Sequence, residues 1–409
     1  MVSKSVLRKY AKVVVKQGVN VQKGQGVIIN VSVDQHEFAK YVMEEAYRAG
    51  AKWVRIDWSF QEATKLKFRH ENLTTLSKVP AWEEEKAKYT VDEMPALIHI
   101  VSDDPDGMKG VNVEKYQKTL IARQKVLKKY RDAQDGKNQW TIVAVPSAKW
   151  AKKVFPGERT SKAMDMLWDA ILATVRVNKD NDPVAEWDVH NENLKFRSKK
   201  MTEMNFTKLH YYNGLGTDFT VGLIPNAPWE GGGEENEKGV FYNPNMPTEE
   251  VFTSPNRNLA DGKVVSTKPL SYQGQLIDNF WVRFENGRAV EWDAEVGADM
   301  LDRMITTDEG SHYLGELALI PHNSPISNSG ILYYNTLFDE NASCHVALGR
   351  GFTADPEKIG LTREEQHEMG VNESMIHVDF MIGSADMNID GYKEDGTVVP
   401  VFRNGEWAF

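Results

Sequence analysis

The sequence predicts an α/β protein: an N-terminal open, mostly parallel sheet with helices on both faces, followed by a C-terminal strand-rich α+β domain. Two observations favour this class. In the first half of the chain, short apolar runs rich in β-branched residues alternate with helical stretches, which is typical of a parallel sheet covered by helices. In the second half, helical periods become rare and turn signals such as Asn-Gly and Asp-Gly multiply.

The N-terminal elements follow from hydrophobic period and from residues that start or end helices. The pattern from Ser3 to Lys16 predicts an amphipathic helix. Asp34 is the predicted N-cap of a helix that runs from about Glu37 to Ala49 and ends at Gly50. A long charged helix is predicted from Val113 to Arg131. Buried strands are predicted in the apolar runs 27–31, 53–58, 96–101 and 141–145.

The C-terminal half carries a strong hairpin signal. Apolar runs at 280–284 and 289–292 flank Asn286-Gly287, a dipeptide that tolerates the positive φ angles of a type I′ turn. The change from helical to strand-rich sequence falls between about Lys195 and His210. With 409 residues, the chain is long enough for more than one domain. We predict an N-terminal α/β domain at 1–200 and a C-terminal domain at 201–409.

Composition and charge argue against several classes of protein. Lys and Arg number 49 against 59 Asp and Glu, and the net charge of −10 argues against a general nucleic-acid or anionic-membrane binder. The single cysteine, Cys344, cannot form an internal disulfide, which is typical of a reducing compartment. The N-terminal residues lack the apolar core of a signal peptide, and no apolar run approaches the ~20 residues that span a bilayer. We expect a cytoplasmic protein.

One apolar strand near the C-terminus contains two polar residues on the same face. His377 and Asp379 are two residues apart in a strand-like run, so their side chains point the same way, while Ile376, Val378 and Phe380 point the other way. Burying a carboxylate and an imidazole side by side costs several kcal/mol unless a partner compensates them. A divalent metal would compensate both, although a hydrogen-bonded His–Asp pair in a core also fits.

Other apolar runs of the C-terminal half repeat this pattern. Glu316 and His345 each lie in such a run, Glu340 lies five residues before His345, and Glu249 and Glu250 lie beside a further run. Each residue alone also fits an ordinary role, such as a solvated strand end or a satisfied core histidine. Together they place two histidines and at least four carboxylates in one domain, an inventory that suits two metal ions, with imidazole favouring zinc or cobalt.

The segments that carry these residues resemble the signatures of the aminopeptidase T / aminopeptidase S (PepS) family of two-metal exopeptidases, in the same order across the whole chain. The segments are Asn245–Thr253, Leu314–Glu316, Glu340–His345 and His377–Gly383, together with Gly216–Leu223 and Thr267–Tyr272. The resemblance implies a homodimer that encloses the active site. It implies metal ligands at Glu250, Glu316, His345, His377 and Asp379, with Glu340 as a further ligand.

One position departs from the family pattern. A tyrosine often occupies the position of Phe352, where a phenol could hydrogen-bond the reacting carbonyl oxygen and a phenyl ring cannot. Substitutes for this donor are available in the chain, and the sequence does not choose among them. They are His210, Tyr211, Tyr212 and Tyr272.

The same inventory suggests a mechanism. Two cations about 3.5–4 Å apart would hold a water between them, lower its pKa toward ~7 and polarise the first peptide carbonyl. The free amine of the substrate would bind a metal or a carboxylate and restrict cleavage to the N-terminal residue. Glu249 is the predicted catalytic general base because it adjoins Glu250, although strand alternation would turn it away.

The sequence therefore predicts a metal-dependent aminopeptidase whose C-terminal domain binds two divalent metal ions per chain and releases N-terminal amino acids from short peptides. Zinc or cobalt is preferred to manganese or magnesium. Its partners would be peptides with a free N-terminus and a second copy of the chain, with no nucleic acid and no membrane. The alternative is another two-metal hydrolase, such as a phosphoesterase, but no Arg or Lys cluster for phosphate adjoins the His377 strand. A non-catalytic binding protein is a third reading.

Overall fold

Residues 2–352 and 362–409 are described by the structure, a computed structural model. They divide into two units, one formed by the residues up to Asp188 with Gly233–Pro247, and one formed by Val189–Gly232 with Thr248–Phe409. The predicted boundary at residue 200 falls within the helix Pro183–Met204, and the predicted domain division stays a prediction. Among the described residues, no helix combines the length and apolar character needed to cross a bilayer.

The regular elements of the described residues have the following bounds. The helices are α1 Lys4–Val13, α2 His36–Ala49, α3 Gln61–His70, α4 Leu73–Ser77, α5 Ala81–Glu93, α6 Val113–Asp132, α7 Ala148–Val154, α8 Thr160–Thr174, α9 Pro183–Met204, α10 Ala298–Ile305, α11 Pro325–Ser329, α12 Thr336–Asp339 and α13 Arg363–Glu368. The strands are β1 Gly26–Ser32, β2 Trp53–Ser59, β3 Ala96–Val101, β4 Trp140–Ala144, β5 Lys208–Tyr212, β6 Asp218–Leu223, β7 Glu230–Gly231, β8 Glu234–Glu235, β9 Phe241–Tyr242, β10 Val251–Thr253, β11 Pro255–Val265, β12 Leu270–Tyr272, β13 Gln275–Glu285, β14 Arg288–Val296, β15 Leu314–Leu319, β16 His345–Gly349, β17 His377–Met381, β18 Asn388–Tyr392, β19 Val398–Arg403 and β20 Glu406–Trp407.

The first unit is built on a parallel sheet with the strand order β2-β1-β3-β4. The chain moves one way along the sheet from β1 to β2 and the other way from β2 through β3 to β4. Because crossovers between parallel strands are right-handed, this reversal sends the connecting helices to opposite faces. The predicted mixed α/β class, with an open parallel sheet in the N-terminal half, is confirmed.

The helices that flank β1 agree only in part with the predicted bounds. Gly50 ends α2 in the left-handed region, with φ of 102°, as predicted. Asp34 is not the N-cap of α2, since it lies in a 3-10 turn over Val33–Gln35 and α2 begins at His36. The chain turns tightly as it leaves β1, and Asp34, the predicted N-cap, forms part of this turn. The α-helical part of the first helix ends at Val13, and Val14–Gly18 continue it as a π-helix beyond the predicted end at Lys16.

The second unit contains a nine-stranded sheet and a five-stranded sheet. The predicted hairpin is confirmed as β13 and β14 of the larger sheet. Glu285 pairs with Arg288 across a two-residue loop in which Asn286 and Gly287 have φ of 48° and 84°. A Cβ on Gly287 would lie 1.9 Å from the carbonyl oxygen of Arg257, so this turn requires glycine.

The five-stranded sheet, in the order β17-β16-β15-β10-β7, buries one face in the hydrophobic core. Leu317, Val346 and Phe380 point to this face and are fully buried. Phe380 packs against Phe280 of the nine-stranded sheet, with ring centroids 5.3 Å apart. This packing fixes which face of β15, β16 and β17 is apolar, and therefore which residues must point to the other face.

Candidate metal centre

The acidic and imidazole side chains lie on the second face of the five-stranded sheet. In the antiparallel register, Ala347 of β16 lies opposite Glu316 of β15 on one side and opposite Asp379 of β17 on the other. His345 precedes Ala347 by two residues and therefore shares its face. Three strands that are distant in sequence thus present their polar side chains to one place.

Small residues in the central strand make room for this convergence. Ala347 separates Glu316 from Asp379, and Gly349 lies opposite His377. Gly349 has φ of 108°, and a Cβ there would lie 2.1 Å from the carbonyl oxygen of Ile376. A larger side chain at Ala347 would occupy the space between Glu316 and Asp379, and any side chain at Gly349 would collide with the backbone of Ile376.

One group of possible ligands surrounds the imidazole of His345. Its Nε2 lies 3.5 Å from Oε2 of Glu250, 3.9 Å from Oε1 of Glu316 and 3.9 Å from Oδ1 of Asp379. Glu250 comes directly before β10, the neighbour of β15. Glu250, Glu316 and His345 each offer one atom to a group in which all the atoms lie within 4.8 Å of one another.

A second group surrounds His377 and shares Glu316 with the first. Nε2 of His377 lies 3.1 Å from Oε2 of Glu316 and 3.3 Å from Oδ1 of Asp379. Nδ1 of His377 donates a hydrogen bond of 2.7 Å to the carbonyl oxygen of Arg350. This bond fixes the ring orientation and directs Nε2 at the carboxylates, where it could bind a metal ion in place of its proton.

The chemistry of this set fits a divalent cation. Glu316 is only 5% exposed and His345 only 1% exposed. In the part of the chain that the structure describes, Glu250, Glu316 and Asp379 form ion pairs with histidine and not with lysine or arginine. Several buried carboxylates without a permanent positive partner are costly, and a metal ion would remove that cost.

The pKa shifts follow from the same crowding. Burial raises the pKa of Glu250 well above its usual value, and repulsion from Glu316 and Asp379 adds to the shift. Burial alone would lower the pKa of His377, but attraction from Asp379 and Glu316 outweighs it and raises this pKa to about 11. Burial opposes ionisation of Asp379, yet His377 lowers its pKa. Without a cation the cluster would therefore retain protons, and a cation would replace them.

Glu340 interacts electrostatically with this cluster but belongs to neither three-residue group among the described residues. It lies in a 3-10 turn, Glu340–Ala342, between α12 and β16. Burial raises its pKa well above the usual value, followed by repulsion from Asp379, Glu250 and Glu316. A cleft at this place is lined by residues that include Leu270, Tyr334, Asn335, Glu340 and Asp379. Sequence reasoning missed Tyr334 and Asn335, whose only signal was their position a few residues before Glu340.

Glu249 points to a different environment from Glu250. Its Oε2 lies 3.8 Å from Nε2 of His190, and it belongs to neither three-residue group among the described residues. Nε2 of His190 also lies 2.7 Å from the carbonyl oxygen of Thr248. Glu249 and Glu250 both lie before the first residue of β10, Val251. The catalytic role of Glu249 stays a prediction.

The position that departs from the family pattern is beside the cluster. The ring of Phe352, 41% exposed, has its centroid 5.1 Å from that of His377. Of the possible substitutes for a phenol, Tyr211 is fully buried in the hydrophobic core, and Nε2 of His210 lies 2.7 Å from a carboxylate oxygen of Asp218. Tyr272 is partly exposed next to the cleft residue Ser271.

A family model and several similar proteins indicate one family. The family model described as thermophilic metalloprotease (M29) matches residues 3–407. Aminopeptidase AmpS of Bacillus subtilis (strain 168) is 46% identical over 405 residues, 98% of each chain. Aminopeptidase T of Thermus aquaticus is 37% identical over 403 residues, again 98% of each chain. The solved structure of wild-type AmpT from Thermus thermophilus is similar with a TM-score of 0.91 and 35% identity, covering 99% of this chain and 100% of that chain.

Proposed function

The chain belongs to the thermophilic metalloprotease (M29) family and is a metallo-aminopeptidase, and we propose that it uses two divalent metal ions to release N-terminal amino acids from short peptides. The observation that carries the proposal is the convergence of buried carboxylates and imidazoles on one face of the five-stranded sheet. The proposed ligands are Glu250, Glu316, Glu340, His345, His377 and Asp379.

Two ions are proposed because the ligand atoms form two overlapping groups. Glu250, Glu316 and His345 make up the first, and Glu316, His377 and Asp379 make up the second. Glu316 is common to both, as expected of a carboxylate that bridges two cations. Each group contains one imidazole, which favours zinc or cobalt over magnesium or calcium.

The residues of the site also account for cleavage at the N-terminal end. Two bound ions would supply a water of lowered pKa and a polarised peptide carbonyl. The carboxylates of the cleft attract the ammonium group of a free N-terminus and repel a C-terminal carboxylate. His377 is held by its hydrogen bond to Arg350, so its Nε2 needs no reorientation when a cation binds.

A peptide panel tests the proposed activity. We expect release of the first amino acid from dipeptides and tripeptides, loss of this release after chelation, and recovery when zinc or cobalt is returned. N-acetylated peptides should resist cleavage because they lack the ammonium group. Equal cleavage of free and acetylated peptides would contradict the proposal, and release from a phosphate ester alone would favour a phosphoesterase.

Glu249→Gln tests the predicted general base. A base that acts on the attacking water is expected to contribute about 10²–10⁴-fold to kcat, with the metal content unchanged. His190→Gln is the matched control, because it alters the neighbour of Glu249 without removing a carboxylate. Normal kcat in Glu249→Gln would contradict the assignment.

Phe352→Tyr is expected to raise kcat by about tenfold or more, because a phenol beside His377 would supply a donor for the developing oxyanion. Steady-state kinetics with a dipeptide checks this, and metal analysis should show unchanged content. Phe352→Leu is the control, since it changes the ring without adding a donor. An equal gain in both variants would show that the effect does not come from the hydroxyl.

The homodimer and the cytoplasmic location stay predictions of the sequence. Sedimentation analysis of the purified chain at several concentrations tests the first. Cell fractionation tests the second.

A further inference from the structure

A buried asparagine lies next to the proposed ligand Glu340. Asn341 is the second residue of the turn Glu340–Ala342, and it is fully buried. A buried side-chain amide is retained only where both of its ends find hydrogen-bond partners, because an unsatisfied amide costs free energy. The partners of Asn341 therefore indicate what it holds together.

The two ends of this amide bind two separate segments. Oδ1 of Asn341 accepts a hydrogen bond of 2.7 Å from the backbone N–H of Glu249. Nδ2 donates a hydrogen bond of 3.2 Å to the carbonyl oxygen of Leu337 in α12. The segment that carries Glu250 is thus attached to the turn that carries Glu340, and each ligand is one residue from the connection.

The turn itself is held independently of Asn341. Oγ of Ser324 donates a hydrogen bond of 3.2 Å to the carbonyl oxygen of Ala342. The carboxylate of Asp339 accepts backbone N–H bonds of 2.7 Å from Tyr333 and 3.0 Å from Asn335. These bonds hold the turn in place. The side chain of Asn341 links the turn to the Glu249–Glu250 segment through its hydrogen bond with the N–H of Glu249.

We propose that Asn341 is a positioning residue that sets the separation between the carboxylates of Glu250 and Glu340, and thereby the strength with which a metal ion is held there. This inference rests on the proposed metal-dependent function. The two carboxylates repel each other when both are ionised, so a connection between their backbones is needed to keep them close. Groups that orient metal ligands typically contribute about 10–100-fold to metal affinity.

The test compares Asn341→Ala with Asn138→Ala in the full chain. Asn138 is a matched control, because it is also buried and its Nδ2 donates a 3.1 Å bond to the carbonyl oxygen of Pro95, in the first unit. The measurement is zinc content as a function of free zinc in a metal buffer, with circular dichroism of the chelated proteins as a check on folding. We expect Asn341→Ala to bind zinc at least about tenfold more weakly than the wild type and Asn138→Ala to bind it normally.

One further variant completes the test. Asn341→Ser is too short to reach the N–H of Glu249 and replaces Asn341→Ala if that variant does not fold. Unchanged zinc affinity in the alanine or serine variant would overturn the inference. A wild type that binds neither zinc nor cobalt would instead overturn the proposed function, so the two failures are distinguishable.

Discussion

Glu316→Gln is expected to reduce kcat by roughly 10³-fold or more and to lower the metal content for both ions. Glu316 is the residue common to the two ligand groups, and its Oε1 and Oε2 face His345 and His377 respectively. Glutamine has the same shape but only one oxygen and no charge, so it cannot join two cations. Substitution of a residue that belongs to only one group should lower metal binding at the other group less.

The same variant should not unfold the protein. Glu316 repels Glu250 but attracts His377, so the loss of its charge removes one unfavourable and one favourable interaction when no cation is bound. We therefore expect the chelated Glu316→Gln protein to unfold within a few degrees of the chelated wild type. Thermal unfolding after chelation measures this, and the exposed Glu394→Gln is a control for the loss of a negative charge. Full activity with normal metal content in Glu316→Gln would exclude a bridging role.

Chelation of the wild-type protein is expected to abolish activity and to lower Tm by about 10 °C. A ligand present at about 1,000 times its Kd stabilises the native state by roughly 4 kcal/mol, and 1 kcal/mol corresponds to about 2–4 °C for a unit of this size. The buried carboxylates add to the loss, because chelation leaves their repulsion uncompensated. Differential scanning calorimetry with and without chelator, followed by return of zinc, measures the shift.

Glu316→Gln provides the control for this experiment. If Glu316 joins the two ions, chelation should change the Tm of this variant much less than that of the wild type. A shift of the same size in both proteins would mean that the stabilising metal lies elsewhere. Unchanged Tm in the wild type would mean that bound metal does not support the fold, and would leave only its role in activity to be tested.

Much of the fold was predictable because it depends on local pattern. The Asn286-Gly287 turn, the end of α2 at Gly50 and the parallel sheet follow from residue chemistry over short distances. The start of α2 was not predictable from Asp34, because the path of the chain as it leaves β1 decides where the helix begins. Short polar residues favour both caps and turns, so their presence does not separate the two.

The candidate site, like the fold, was only partly predictable from the sequence. Alternation along a strand was enough to assign His377 and Asp379 to one face, since the period of a strand is a local property. Placing Glu316, His345 and Asp379 within a few ångströms required the register of three antiparallel strands, with Ala347 between the two carboxylates. No local pattern encodes that register, because it depends on how the apolar faces pack in the core.

Residue types and their periods were therefore sufficient for the class of fold, whereas the family resemblance and the candidate metal ligands that it implies came from the motifs of the sequence. The folded chain was needed to show that Glu316 is shared by two groups, that Glu249 faces His190 and that Asn341 connects the segments of Glu250 and Glu340. The physical reason is distance along the chain. Hydrogen bonds and ion pairs between residues almost a hundred positions apart, as between Asn341 and Glu249, depend on tertiary packing and leave no periodic signal in the sequence.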